Sequence, residues 1–165
     1  MASPILSRRK WKLYAHDQHI VVVNGTREKF THPLMKALLW GLYMPDYPNI
    51  SIEIRIGDKY KPDVVAFEAD AELRGSPPVF WGEAGQISTH KIKSIARRYP
   101  DTHFAIAKWN TNLRHYSTLL EDLLKDIKRT APFDLMRMPE DTLQCIDDDG
   151  LISITFDDVE LIRFD

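Results

Sequence analysis

The sequence contains one cysteine, Cys145, in 165 residues. An intramolecular disulfide is therefore excluded, and the thiol suits a reducing compartment. Cys145 stands in TLQCIDDDG, which reads as a strand running into a turn. A buried structural thiol is expected there, in preference to a nucleophile. No apolar run approaches the ~18 residues that a membrane helix needs. The opening MASPILSRRKWK places its basic residues after a very short apolar piece, the reverse of a signal peptide. The expectation is a cytoplasmic protein with no membrane association. There is no G-x-S-x-G elbow, no glycine-rich phosphate loop and no dinucleotide fingerprint, so no organic cofactor is implied. The six histidines show no His-x-x-x-His spacing, and no Cys-x-x-Cys occurs, which argues against a structural zinc site. His16 and His19 flank Asp17-Gln18 on an expected hairpin and read as surface residues. An excess of one charge is missing too: 22 Lys and Arg face 24 Asp and Glu, a net charge of -2. A protein that coats nucleic acid is excluded on that ground, while a local basic patch is not.

What is present is ordinary globular material, 44% hydrophobic and 28% charged, enough to bury a real core. Without repeats, linkers or low-complexity segments, one domain over residues 1–165 is expected, with 1–9 flexible. WKLYAHDQHIVVV is rich in β-branched and aromatic residues and precedes Asn24-Gly25; it reads as one or two strands closed by that tight turn. THPLMKALLWGLYM spaces Leu34, Leu38, Leu39 and Leu42 as a helix, with Thr31 as its cap and Pro33 in the first turn. ISIEIRIG alternates apolar and polar residues, the pattern of a half-exposed strand. PDVVAFE and VFWGEA follow as two more strands, which with short connections make an antiparallel meander. STHKIKSIARRYP is a helix capped by Ser88 or Thr89, and THFAIAKWN a fourth, central strand. TNLRHYSTLLEDLLKDIKR is a long amphipathic helix, and the remainder reads as short strands around Asp148-Asp149-Gly150. The fold class is α/β with α+β character, one central mixed β-sheet flanked by helices.

Two carboxylates stand out. Asp63 in KYKPDVVAF and Glu83 in VFWGEAGQ each occupy a strand position where core residues are expected. A lone acid in a strand most simply faces solvent. At an inner position an unpaired carboxylate is costly, so it pairs, takes up a proton or binds a cation. Two acids on neighbouring strands, with the Ala84 carbonyl beside the second, form an oxygen donor set suited to Mg²⁺ or Mn²⁺. Lys59, Lys61, Arg97 and Arg98 stand near enough in sequence to make a phosphate-contacting rim, with Tyr60 and Trp81 available to stack on bases. Trp81 reads more simply as core filling, and the basic helix face as a solvated one with favourable charge at its C-terminal end.

The element order and these residues together resemble the PD-(D/E)XK nuclease-like superfamily. Pro62-Asp63 stands for its first half-motif, and Glu83-Ala84 for the first two places of its second. The third place holds Gly85 where that pattern has lysine. Within the superfamily the chain most resembles the YaeQ-like proteins, which share an acid followed two residues later by glycine, then a basic helix like His90-Lys91-Ile92-Lys93 here. The resemblance spans roughly residues 10–164 and implies a restriction-endonuclease-like core. It implies Asp63, Glu83 and Ala84 as holders of Mg²⁺ or Mn²⁺, and nucleic acid as partner. It also implies that Lys93, or second Lys91, replaces the missing lysine, with Gln86 as a further polar group. Lys91 and Lys93 point about 200° apart on a helix, so only one can face the acids. The implied activity is metal-dependent phosphodiester hydrolysis. The alternative is a nuclease fold without catalysis, a nucleic-acid- or protein-binding module, which the missing lysine favours. A third outcome is a scaffold whose acids are capped by lysine and arginine.

Overall fold

The computed structural model describes residues 9–25, 30–69 and 75–165. The flexible segment expected at 1–9 therefore lies outside the described residues as far as residue 8, as does most of the loop expected after Glu68. β1 (Lys10–Ala15) and β2 (Gln18–Val23) form a separate antiparallel hairpin. α1 (Thr31–Tyr43) follows, then β3 (Ser51–Ile52), β4 (Val64–Ala66), β5 (Phe80–Ala84), α2 (Thr89–Arg98), β6 (His103–Trp109), α3 (Arg114–Leu124), β7 (Phe133–Met138) and β8 (Glu160–Phe164). The main sheet runs in chain order, β3-β4-β5-β6-β7-β8. β3, β4 and β5 are antiparallel, as the expected meander requires; β5, β6 and β7 are parallel; β8 returns antiparallel. β6 is central and its first six residues are buried. Among the described residues no helix is long and apolar enough to cross a membrane.

Side-chain alternation sorts the two faces of this sheet. Phe80, Ala84, Ala105, Ala107, Met136 and Met138 face α1 and the hairpin, whose Trp11 and Leu13 are buried there. Trp81, Phe104, Ile106, Phe133 and Leu135 face α2 and α3. α2 supplies Ile92, Ile95 and Ala96, the stripe its spacing predicts, and Ser88 Oγ accepts from the Lys91 amide as its cap. Trp81 is fully buried, as core filling.

Several local expectations are corrected. The hairpin turns at His16 and Asp17, both at positive φ (48° and 70°), not at Asn24-Gly25. Aspartate and histidine tolerate this left-handed geometry better than most residues, and a two-residue turn of matching twist needs it twice. His16 and His19 are exposed, as expected, and His16 Nε2 lies 3.2 Å from the Gly41 carbonyl. α1 begins at Thr31 itself, without a side-chain cap. The strand expected from Ile50 ends at Ile52, because Glu53 adopts φ of +53° and breaks the ladder. The Glu53 amide still bonds the Asp63 carbonyl at 2.9 Å, and its carboxylate pairs with the buried Lys36. α3 is shorter than its apolar spacing suggests. Asn112 Oδ1 accepts from the Arg114 amide at its start, and beyond its end Arg129 binds the carbonyls of Ala96 and Tyr99. Of the short strands expected after Met138 only β8 joins the sheet. Cys145 lies in a 3₁₀ turn, Glu140–Cys145, and is half-buried, not fully buried. Burial and the nearby Asp158 push its thiol up to about 11.

One acid of the sheet is wholly enclosed. Asp134 on β7 is 0% exposed, and its Oδ2 accepts from Tyr43 of α1 at 2.7 Å and lies 2.6 Å from His103 Nε2. Arg163 of β8 donates to both of its oxygens, at 2.7 and 3.0 Å. Burial opposes ionisation, but His103, Arg163 and Tyr43 together outweigh it and hold the carboxyl at about 2.

The hairpin is tied to the far end of the chain. Tyr14 N donates to Gly150 O at 2.8 Å, and Ile152 N to Tyr14 O at 2.7 Å. Gly150 has φ of +88°, and a Cβ there would stand 2.4 Å from the Lys12 carbonyl oxygen. Both the backbone conformation and the close approach demand glycine. Gly150→Ala should lower unfolding stability by roughly 2 kcal/mol or more, read as a lower urea midpoint at unchanged slope.

Candidate functional site

Asp63 and Glu83 meet at the carboxyl end of β5, where the sheet changes from antiparallel to parallel pairing. Carboxyl ends of parallel strands are where such sheets leave room for ligands. Asp63 precedes β4, and Pro62 before it is buried. Asp63 Oδ2 accepts from the Ala84 amide at 2.9 Å and lies 3.6 Å from His32 Nε2 on the first turn of α1. Glu83 is 6% exposed; its Oε1 accepts from Trp81 Nε1 at 2.9 Å and sits 2.7 Å from Lys91 Nζ of α2. Lys91 in turn stands over the Tyr60 ring, 5.2 Å from its centroid. Each carboxylate thus has one oxygen fixed by protein donors. The other oxygens, Asp63 Oδ1 and Glu83 Oε2, have no partner among the described residues, and the two side chains keep 16% and 8% of their surface exposed.

The two acids titrate in opposite directions. Burial alone would raise Asp63, but His32, the Ala84 amide and the charge of Lys36 outweigh it and hold the carboxyl below its ordinary range. Glu83 is pushed up to about 7, first by burial and then by the negative charge of Asp63, against the opposing pull of Lys91 and Trp81. Near pH 7 Asp63 is therefore ionised while Glu83 carries its proton about half of the time. A bound cation would replace that proton.

Of the two lysines proposed to reach the acids, the structure brings Lys91 to Glu83 and leaves Lys93 exposed. Ile92 and Ile95 bury one side of α2, and that rotation sets Lys91 toward the sheet edge. Gln86 is exposed just past β5. Of the expected basic rim, Lys59, Lys61 and Arg97 are exposed. Arg98 is instead engaged: its Nη2 donates to Asp58 Oδ1 at 3.1 Å, its Nη1 to Oδ2, and its Nε to Ser94 Oγ. Tyr60 is half-buried, with Lys59 as well as Lys91 against its ring.

Gly85, where the nuclease pattern has lysine, sits at φ of +89°, a conformation that side chains rarely adopt. A Cβ there would meet His32 Cδ2 at 3.7 Å. Lysine is absent from that position for a backbone reason. Lys108 of β6, 6% exposed, donates to the Gly85 carbonyl at 2.8 Å and lies over the Tyr116 ring at 4.3 Å. Burial lowers its pKa. Sequence reasoning missed both His32 and Lys108. A single lysine in the otherwise apolar HFAIAKW was the available signal for the second.

Two solved structures share this arrangement of elements. The YaeQ protein from Pseudomonas syringae superposes with a TM-score of 0.59 at 14% identity, over 92% of this chain and 86% of that one. The YaeQ protein from Xanthomonas axonopodis pv. citri gives 0.53 at 10% identity, over 87% and 81%. The chain has the YaeQ fold. No family model and no curated protein sequence matches it, so the kinship is one of architecture. Among the described residues no group of three or more His, Cys, Asp or Glu side chains is arranged to hold a metal ion. The YaeQ-like fold here therefore offers a cation two carboxylates and backbone oxygen. That set fits Mg²⁺, which keeps several waters and takes one or two carboxylates, and does not fit a structural zinc.

The raised Glu83 pKa has a stability consequence. The folded protein holds this proton more tightly than the unfolded chain, whose value is near 4.5. The resulting stability is full below pH 4.5 and is lost as pH rises through about 7. Glu83→Gln, which cannot ionise, should gain on the wild type between pH 5 and pH 8, by on the order of 1–3 kcal/mol. Urea unfolding of both proteins at the two pH values measures it, in the absence of divalent cations.

Proposed function

We propose that this protein is a metal-dependent phosphodiester hydrolase of the PD-(D/E)XK type, acting on nucleic acid. The observation that carries the reading is the pair of carboxylates at the end of β5, each with one oxygen tethered by a protein donor and the other without a donor among the described residues. Asp63 Oδ1, Glu83 Oε2 and the Ala84 carbonyl would hold Mg²⁺ or Mn²⁺. The ion would neutralise charge on a phosphate and activate water for attack. The chain's own groups set the geometry for this. Trp81 fixes the Glu83 rotamer, and the Ala84 amide fixes that of Asp63. Lys91, held between Glu83 and the Tyr60 ring, places an ammonium where an attacking water or a phosphate oxygen would lie. Lys108 pins the Gly85 carbonyl, and so the bend that carries Ala84. Lys59, Lys61 and Arg97 remain exposed for phosphate contact; Arg98 serves the Asp58 loop.

A second reading has its own observation. The left-handed backbone at Gly85 disfavours the ordinary lysine, and Lys91 and His32 already partner both acids. A fold kept for binding, with catalysis lost, would show this internal neutralisation. Nucleic-acid retention insensitive to chelator, without cleavage, would favour it.

Incubated with mixed DNA and RNA and Mg²⁺ or Mn²⁺, the wild type should release fragments. Asp63→Ala should lose at least ~100-fold in rate, and Lys91→Ala a similar factor, while Lys93→Ala should stay within about twofold. No turnover by any preparation, with Asp63→Ala binding metal as the wild type does, defeats the hydrolase reading. Because Glu83 must shed its proton to take a cation, Mg²⁺ affinity should rise up to about tenfold per pH unit below pH 7 and level off above it. Calorimetric titration across pH 5.5–8.5 reads this directly.

A further inference from the structure

We propose that the outer face of the β1–β2 ribbon is a docking surface for a single-stranded nucleic acid, separate from the carboxylate site. The inference deepens the hydrolase reading by naming a strand-binding surface, but its test does not need cleavage. Among the described residues, the exposed large hydrophobic side chains are Tyr14, Val21, Val23 and Leu151. All four gather here. Val23 lies opposite Lys10, Val21 opposite Lys12, and His19 opposite Tyr14, so these six side chains share one face. Leu151 adjoins Tyr14 through a parallel bridge. Val23 is 59% exposed and Leu151 50%, far more than a packed face would leave.

The chemistry selects the occupant. No acid stands among the six side chains, so the face is cationic on a chain whose net charge is -2. Lys12 lies over the Tyr14 ring at 5.6 Å, and the Tyr14 and His19 rings are 5.9 Å apart. Two aromatic rings beside lysines on an extended ribbon form a stacking platform with phosphate contacts at its flank. A hollow of about 600 Å³ opens beside Tyr14, His19 and Leu151, with Asp17 and Asp149 also in its lining. Those acids repel phosphates toward the lysine end and leave the hollow to a base. A membrane surface would call for longer insertions than two valines provide.

The test is fluorescence anisotropy of a labelled oligothymidylate and an oligouridylate with the full chain, in chelator so that nothing is cleaved. Lys10→Glu/Lys12→Glu should weaken binding at least tenfold and reduce the slope of log affinity against log salt by about 1.4, two phosphates at ~0.7 each. Tyr14→Ser should weaken it roughly 5- to 150-fold. Val23→Lys should tighten it, a gain that misfolding cannot imitate. Equal affinities for wild type and all three variants overturn the proposal. So does a double variant that leaves oligonucleotide affinity intact while abolishing self-association in sedimentation or adsorption to phosphatidylserine vesicles. The outcome is separable from that of the hydrolase reading. Ribbon-dependent binding with no hydrolysis by the wild type keeps the docking surface and removes the enzyme. Hydrolysis lost in Asp63→Ala, with ribbon variants binding normally, does the reverse.

Discussion

Carboxylates placed inside a β-sheet must be answered, and this sheet answers three of them in two ways. Asp134 is answered completely. Tyr43, His103 and Arg163 bring α1, β6 and β8 onto two oxygens of β7, and nothing is left over for a ligand. A buried charge so satisfied holds elements in register, because moving any of them strands the others' polar groups in a low-dielectric interior. Asp63 and Glu83 are answered by halves. Each has one oxygen tethered and one open, and burial together with the charge of Asp63 raises the Glu83 pKa to about 7. The same physical demand thus encloses one acid and leaves two with an open oxygen, according to how many donors the neighbouring elements deliver.

Delivery of those donors depends on where the sheet changes direction. β5 pairs antiparallel on one side and parallel on the other. A parallel neighbour needs a crossover, and α2 provides it, returning past the end of β5 with Lys91 on its first turns. The left-handed Gly85 starts that crossover. The glycine and the helical lysine are two aspects of one bend: the strand cannot carry a lysine there, and the helix that the bend launches can.

Much of this was legible in the sequence, and the unread parts have specific causes. The element order, the meander, the central position of HFAIAKW and the buried face of α2 followed from period and capping alone. The pair Asp63 and Glu83 was visible because acids are conspicuous in apolar strands. The choice between Lys91 and Lys93 was not, since both fit the helix and only its rotation against the sheet, fixed by Ile92 and Ile95, separates them. His32 was hidden because its partner lies 31 positions further along the chain, across a helix and a turn. Glu53 shows the limit of alternation as a signal. Ile-Ser-Ile-Glu-Ile-Arg-Ile reads as an uninterrupted strand, yet the pull of buried Lys36 on Glu53 and a left-handed φ end it after two residues. Arg98 looked like a phosphate ligand because nothing local showed that Asp58, forty residues earlier, already occupies it.

The bridge between Tyr14 and residues 150–152 also bears on how the chain assembles. The hairpin's own ladder is local and can close within microseconds, but its outer strand acquires this partner only from the opposite end of the sequence. On a ribosome, the hairpin would be made well before the segment that covers its edge. Its apolar inner side, with Trp11 and Leu13, must meanwhile find α1 or remain wet. Folding of this protein should therefore finish with the closing of a ring in which segments distant in sequence become neighbours.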